Sequence, residues 1–134
     1  MNHGAHREHG ETLFPELSAS IVTAAIEVHK TLGPGLLESV YETCLCYELE
    51  QQGLNVKKQV HLPIKYQSLD IDSGLRLDLL IENSIIIELK AVEKLLPIHQ
   101  AQLITYLKLA DKRLGFLFNF NVKLMREGIK RIVR

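Results

Sequence analysis

Cysteine is scarce in this chain, with two residues in 134, and no stretch approaches the ~18 to 20 consecutive apolar residues that a membrane-spanning helix requires. The first absence excludes a disulfide framework and the second leaves a spanning helix without a candidate. Cys44 and Cys46 form a C-x-C pair inside an expected helix, where residues two apart do not face each other. A zinc site would need further Cys or suitably spaced His, so both thiols are expected in the core and reduced. Repeats, linkers and low-complexity blocks are also missing, which gives no reason to divide off a second domain. Net charge is absent too, since 16 Lys and Arg balance 16 Asp and Glu.

That balance conceals a division along the chain. Residues 1–89 hold 6 Lys and Arg against 13 Asp and Glu, whereas residues 90–134 hold 10 against 3. Lys123, Arg126, Lys130, Arg131 and Arg134 give the C-terminal segment its basic character. Such a patch suits contact with phosphates, or equally a solvated surface. The first twelve residues are polar, rich in His and without the apolar core of a secretory signal, so a cytoplasmic location is expected. His3, His6 and His9 recur there as expected of a frayed tail rather than a metal site. The expected organisation is a flexible tail over 1–15 and one domain over 16–134. A hydrophobic content of 46% suits such a domain, which at this length buries roughly two thirds of its unfolded surface.

Ile21, Ala25, Val28 and Leu32 recur at helical spacing, so Glu16 to Leu32 reads as an amphipathic helix, capped by Ser18 or Ser20 and ended by Gly33-Pro34-Gly35. A second helix is expected from about Leu36 to Gln52, with Glu38, Tyr41, Leu45 and Glu48 along one stripe and a stop at Gly53. From Val56 the period shortens: Val60, Leu62, Ile64 and Tyr66 alternate with polar residues as in a half-buried strand, and Pro63 favours an edge or a bulge. Ser68 to Gly74 reads as a turn, followed by two strands, Leu75 to Ile81 and Ile85 to Val92. Pro97 suits the first turn of a third helix, extending to about Ala110, with His99, Gln102 and Tyr106 on one face. Leu114 to Phe118 is an almost continuous apolar run, as expected of a buried strand reached by a helical crossover, and Ile129 to Val133 adds a last strand. The order α-α-β-β-β-α-β-β implies an α/β (α+β) fold, a mixed sheet flanked by helices.

Charge interrupts two of these strands, and apolar strands rarely carry it unless a metal, a partner or a reaction offsets the desolvation. Glu88 and Lys90 are two apart, so a strand places both on one face, roughly 6 to 7 Å apart. Strand alternation sets Arg76, Asp78 and Leu80 on one face and Leu75, Leu77, Leu79 and Ile81 on the other. If Glu82, Asn83 and Ser84 turn a hairpin, Asp78 comes close to Glu88. Two carboxylates suit a Mg²⁺-type ion that keeps several waters and completes its shell with substrate phosphate, and Lys90 can orient the attacking water. Each residue also has a structural reading. Glu88 and Lys90 can be a solvated salt bridge of roughly 0 to 1 kcal/mol. Glu38 can serve its helix dipole, Tyr41 the core, Gln102 a buried backbone group, and His29 and His99 packing. Arg76 can contact phosphate or pair with Asp78.

Taken together, Gly35-Leu36-Leu37-Glu38-Ser39-Val40-Tyr41, Arg76-Leu77-Asp78, Ile87-Glu88-Leu89-Lys90-Ala91, Gln102-x-x-x-Tyr106-Leu107 and Gly115-Phe116-Leu117-Phe118-Asn119-Phe120 resemble the GxxExxY protein family. That family is assigned to the PD-(D/E)-x-K nuclease-like superfamily, whose shared core is a mixed four-stranded sheet flanked by helices. The resemblance covers nearly the whole chain after about residue 17. It implies a restriction-endonuclease-like core and a Mg²⁺ ion, or Mn²⁺, held by Asp78, Glu88 and the carbonyl of Leu89, with Glu38 reaching the ion or its water shell. It also implies that Lys90 positions the attacking water and that Gln102 and Tyr106 match the Gln-x-x-x-Tyr pair of RecB-like nucleases. Arg76, Tyr106 and His99 are the expected substrate contacts. Leu77 stands where the literal motif has Pro.

The leading expectation is a Mg²⁺-dependent nuclease acting on nucleic acid, DNA before RNA, with no membrane partner. A homodimer or a partner protein supplying specificity fits the small size. The alternatives are a non-catalytic nucleic-acid- or protein-binding module that retains a nuclease fold, and a structural ion-pair network.

Overall fold

Pro15 opens the first helix, α1 (Pro15–Leu32), where its missing N–H leaves no bond unmade, and Phe14 (φ 49) takes the cap position. The structure, a computed structural model, describes residues 13–134, so His3, His6 and His9 lie outside the described residues. Ser18 and Ser20, expected as caps, fall inside α1 because Pro15 sets the start of the helix ahead of them. The second helix, α2 (Glu38–Gln51), stops just before Gly53, whose φ of 82 glycine adopts without strain. Between the helices, the Tyr41 hydroxyl donates to the Gly33 carbonyl (2.6 Å) and accepts the Leu36 N–H (3.1 Å). Tyr41 is fully buried and stacks on Phe120 with ring centroids 4.6 Å apart, so it is a core residue that also fixes where α2 begins.

The strands are β1 (Val56–His61), β2 (Ile64–Tyr66), β3 (Leu69–Ile71), β4 (Arg76–Ile81), β5 (Ile85–Lys90), β6 (Leu114–Asn119) and β7 (Ile129–Val133). Five of them form one mixed sheet in the order β1-β4-β5-β6-β7. β5 and β6 are parallel, joined by the crossover helix α3 (Pro97–Ala110), and every other neighbouring pair is antiparallel. The sequence places α2, α3, β6 and β7 almost to the residue. It misplaces the segment before β4. The run expected as one strand from Val56 to Tyr66 breaks at Leu62 and Pro63, and Ser68 to Gly74 is not only a turn, because Leu69–Ile71 pairs with Ile64–Tyr66 in a separate hairpin. Proline cannot donate to a ladder, which is why the break falls there.

Two apolar clusters lie on opposite faces of the sheet. Ile85, Ile87 and Leu89 of β5 and Leu114, Phe116 and Phe118 of β6 pack against α1 and α2. Ile86 and Leu117 point the other way, toward Leu103, Tyr106 and Leu107 of α3. Strand alternation therefore places Glu88 and Lys90 on the α3 face. Gly115 admits α3 to that face: a Cβ there would lie 3.1 Å from a Leu103 methyl. His29 is buried and its Nε2 lies 2.6 Å from the Val122 carbonyl, a packing role, as one reading of the sequence expects. Cys46 is buried, which pushes its thiol up to about 11, and Cys44 is half-buried; both are free, as expected of core thiols.

One departure from strand alternation sets up the site. Leu79 and Ile81 pack with the α1/α2 cluster, as expected, but Leu77 joins Leu80 in the α3 cluster and Leu75 packs beside them. Opposite, Val56 and Val60 divide between the same two clusters. The reversal falls at Gln59, whose left-handed backbone (φ 50) turns β1 over at the position facing Asp78.

Candidate active site

The β4–β5 ladder stops at Leu79↔Ile87, one step short of Asp78 and Glu88. Beyond that pair, side chains replace backbone as hydrogen-bond partners. The Asp78 N–H donates to Glu88 Oε2 at 2.9 Å, and the Leu89 N–H donates to Asp78 Oδ2 at 2.9 Å. Each acid thus serves the other strand's backbone where the strands part, and the hairpin brings Asp78 and Glu88 together as the sequence expects. The turn that sets this register has left-handed backbone at Glu82 (φ 51) and Asn83 (φ 52), closed by the Ser84 N–H on the Ile81 carbonyl at 2.9 Å.

Glu88 is 7% exposed and Asp78 is half-buried. Desolvation, then the neighbouring Asp78 charge, pushes the Glu88 carboxyl up to about 8, so at neutral pH it holds a proton. Lys90 lowers it in part, but the described ion pairs do not include Lys90. The solvated Glu88–Lys90 salt bridge considered from the sequence is therefore not formed: Glu88 is buried. Nor does Arg76 pair with Asp78; it is exposed at the start of β4.

Glu38, on the first turn of α2, feels the same cluster. Its carboxyl is raised by burial and by Asp78, against the lowering pull of Lys90 and an Ala91 backbone N–H. On α3, burial raises the Tyr106 phenol, Glu88 and Asp78 raise it further, and the neighbouring Gln102 amide pulls it back. Tyr106 is therefore a neutral O–H donor near the acids, with Gln102 beside it. One ring nitrogen of His99, Nδ1, accepts the Leu96 N–H at 2.9 Å and caps its own helix, which leaves Nε2 to carry the proton. Lys130 of β7 stands in the same cross-strand row as Glu88, with Leu117 between them, roughly 10 Å away across two strand spacings.

Three contributors have no role assigned from the sequence, although one of them, Asn119, lies within the Gly115–Phe120 segment of the resemblance. Gln59 Nε2 lies 3.0 Å from Glu42 Oε1 and 3.4 Å from Asp78 Oδ1, bridging two acids. Glu42 follows Glu38 by one helical turn, a spacing that could have drawn attention to it. Asn119, paired with Lys90 in the parallel ladder and 2% exposed, donates to the Val92 carbonyl (2.9 Å) and accepts the N–H groups of Val92 (3.1 Å) and Asn121 (3.2 Å). It clamps the chain just after Lys90. The Phe120 N–H, bound to the Lys90 carbonyl at 2.9 Å, carries the same register to the ring on which Tyr41 stacks.

Whether this set fits a divalent ion is a question of donor chemistry. Asp78 and Glu88 are hard oxygen donors pressed together in a buried place, one of them kept neutral by a proton. A divalent ion would replace that proton and favour both ionised forms. Among the described residues, no three Asp, Glu, His or Cys side chains are placed to hold an ion between them, and the acids brought into direct contact with each other's strands are Asp78 and Glu88. Two carboxylates with open positions suit an ion that keeps most of its waters.

A mixed sheet with helices on both faces, and an antiparallel pair opening onto Asp78 and the Glu88-x-Lys90 triplet, is a restriction-endonuclease-like nuclease core. The family model of the PD-(D/E)XK nuclease superfamily matches residues 15–132, and the chain belongs to that superfamily. Divalent metals and nucleic-acid substrates are general in it. No curated protein and no solved structure gives a significant match.

Proposed function

We propose that the protein is a divalent-metal-dependent nuclease that hydrolyses phosphodiester bonds, with Asp78 and Glu88 holding the ion and Lys90 serving the attacking water. The observation that carries this reading is the Asp78–Glu88 pair, buried where the β4–β5 ladder opens, with Lys90 two residues on along β5. Mg²⁺ is the proposed ion, with Mn²⁺ as a substitute, and DNA the proposed substrate. The GxxExxY grouping within the superfamily rests on the motifs alone.

A bound ion would draw charge from the scissile phosphate and acidify water. This chain's residues supply the rest. Glu88 would have to give up its proton to hold an ion, so uptake near neutral pH would be linked to proton release. The Leu89 carbonyl is the further oxygen that the superfamily resemblance assigns to the ion, and Glu38 acts through its charge on the surrounding water. Lys90, free of any described ion pair, has its ammonium available to align the nucleophile and steady charge building on phosphate. Tyr106, with its proton held, donates a hydrogen bond toward substrate, steadied by Gln102. Lys130 and exposed Arg76 are cationic contacts for the backbone on either side.

The test is incubation of the purified protein with single- and double-stranded DNA and RNA in Mg²⁺ or Mn²⁺, beside Asp78→Ala. Metal-dependent cleavage by the wild type, lost in the variant, supports the reading. Salt-dependent binding without cleavage would instead identify a non-catalytic nucleic-acid module.

A further inference from the structure

Gln59 holds a left-handed backbone (φ 50) inside the edge strand β1, a conformation that glutamine rarely adopts. The β1–β4 register is unchanged on both sides of it, from Lys58↔Leu79 to Val60↔Leu77, and the step between them, Gln59 facing Asp78, is absent from the ladder. Backbone strain of this kind persists only where the surroundings fix it. Here the side chain supplies a reason. An amide NH₂ carries two protons, and the Gln59 nitrogen has two carboxylates in reach, Glu42 Oε1 at 3.0 Å and Asp78 Oδ1 at 3.4 Å. The other Asp78 oxygen is already held by the Leu89 N–H. Asp78 is therefore gripped from both neighbouring strands, by a side chain of β1 and the backbone of β5.

We propose that Gln59 is a positioning residue for the cation site: its carboxamide fixes the rotation of the Asp78 carboxylate and holds Glu42 beside it as an outer acid. This rests on the reading that Asp78 and Glu88 hold the ion. The role needs a neutral double donor. A Lys at this position would compete with the ion for Asp78, and a Glu would add a third acid with nothing to share. Lys58 is the cation nearest in influence to Glu42, and it does not replace the amide as a bridge to Asp78. Outer groups that orient metal ligands typically change metal affinity by about 10- to 100-fold when removed.

Gln59→Gly separates this role from a merely structural one, because glycine suits the left-handed position but carries no amide. Thermal unfolding in EDTA is expected to show the variant as stable as the wild type or more so. Mn²⁺ uptake, followed by the EPR signal of the free ion, is expected to weaken by about tenfold or more. Gln59→Asn, which keeps an amide and tolerates the same backbone, is expected to bind between the two, and it serves for the comparison if the Gly variant fails to fold. Mn²⁺ affinity equal to wild type in both variants would overturn the role of Gln59 alone. No Mn²⁺ uptake by the wild type would remove the cation reading and this role together.

Discussion

Asp78 and Glu88 hold each other's strands open: the Asp78 N–H ends on the Glu88 carboxylate at 2.9 Å, and the Asp78 carboxylate takes the N–H of Leu89 at 2.9 Å. Two acids with interlocked backbone partners cannot move apart to relieve their repulsion. A proton on Glu88 relieves it, and a divalent ion would do the same.

Stability should record that proton. Glu88 has an ordinary carboxyl value of 4.5 and is pushed up to about 8 in the folded protein, so between these values the folded state binds a proton that the unfolded state does not. Stability contributed by the protonated form is full below the lower value and declines as pH rises through the higher one. In EDTA, the wild type is expected to unfold at a lower temperature at pH 9 than at pH 6. Glu88→Gln should lack most of that decline and exceed the wild type at pH 9. Thermal melts of both proteins across this range check it, and parallel curves would refute the buried, proton-holding acid.

Lys90 is half-buried and belongs to no described ion pair, so its loss should touch chemistry more than folding. Lys90→Ala is expected to lower cleavage by about 10²-fold or more while leaving the melting temperature and Mn²⁺ affinity close to wild type. Cleavage rates and Mn²⁺ titration together decide the matter: loss of metal binding would make Lys90 a structural member of the site.

Asn119 satisfies both backbone groups of Val92 and the N–H of Asn121. Asn119→Ala removes the partner of these three groups, which sit on half-buried residues where water can replace part of the loss, so each is expected near the low end of the about 1 to 3 kcal/mol of a buried unpaired group, about 3 kcal/mol in all by urea unfolding. Cleavage should fall as well, because the chain after Lys90 loses its clamp.

Lys130 is exposed and shares the row of Glu88. Lys130→Ala, made in a Lys90→Ala background to prevent cleavage, should weaken nucleic-acid binding and reduce the slope of log affinity against log salt by about 1. An unchanged slope would place the phosphate path elsewhere.

The meeting of Asp78 and Glu88 was legible because strand periodicity and a hairpin turn are local signals, and the placement of Lys90 on the face of Glu88 follows from the first. The GxxExxY-like spacing likewise located Glu38 and Tyr41, although Tyr41 works in the core by bonding Gly33 and Leu36. Gln59 was not legible. Nothing in Lys57-Lys58-Gln59-Val60 marks a left-handed residue, since its side-chain partners come from α2 and β4. The same reversal sends Leu77 to the opposite face from Leu79, which simple alternation does not anticipate. Only the second strand of the β2–β3 hairpin falls in a segment that reads as a turn, because the polar residues of Ser68 to Gly74 outweigh the alternating Leu69 and Ile71. His99 shares the helical stripe of Gln102, but a stripe does not reveal that its ring nitrogen caps Leu96.

The most direct test of the cation site is a calorimetric titration of Mn²⁺ into the wild-type protein at pH 7, run in two buffers of different ionisation enthalpy, beside Asp78→Ala. The expected result is saturable uptake that releases about one proton per ion, the one carried by Glu88, and that is abolished in the variant. Uptake without proton release, or uptake undiminished in Asp78→Ala, would contradict the assignment of the ion to Asp78 and Glu88.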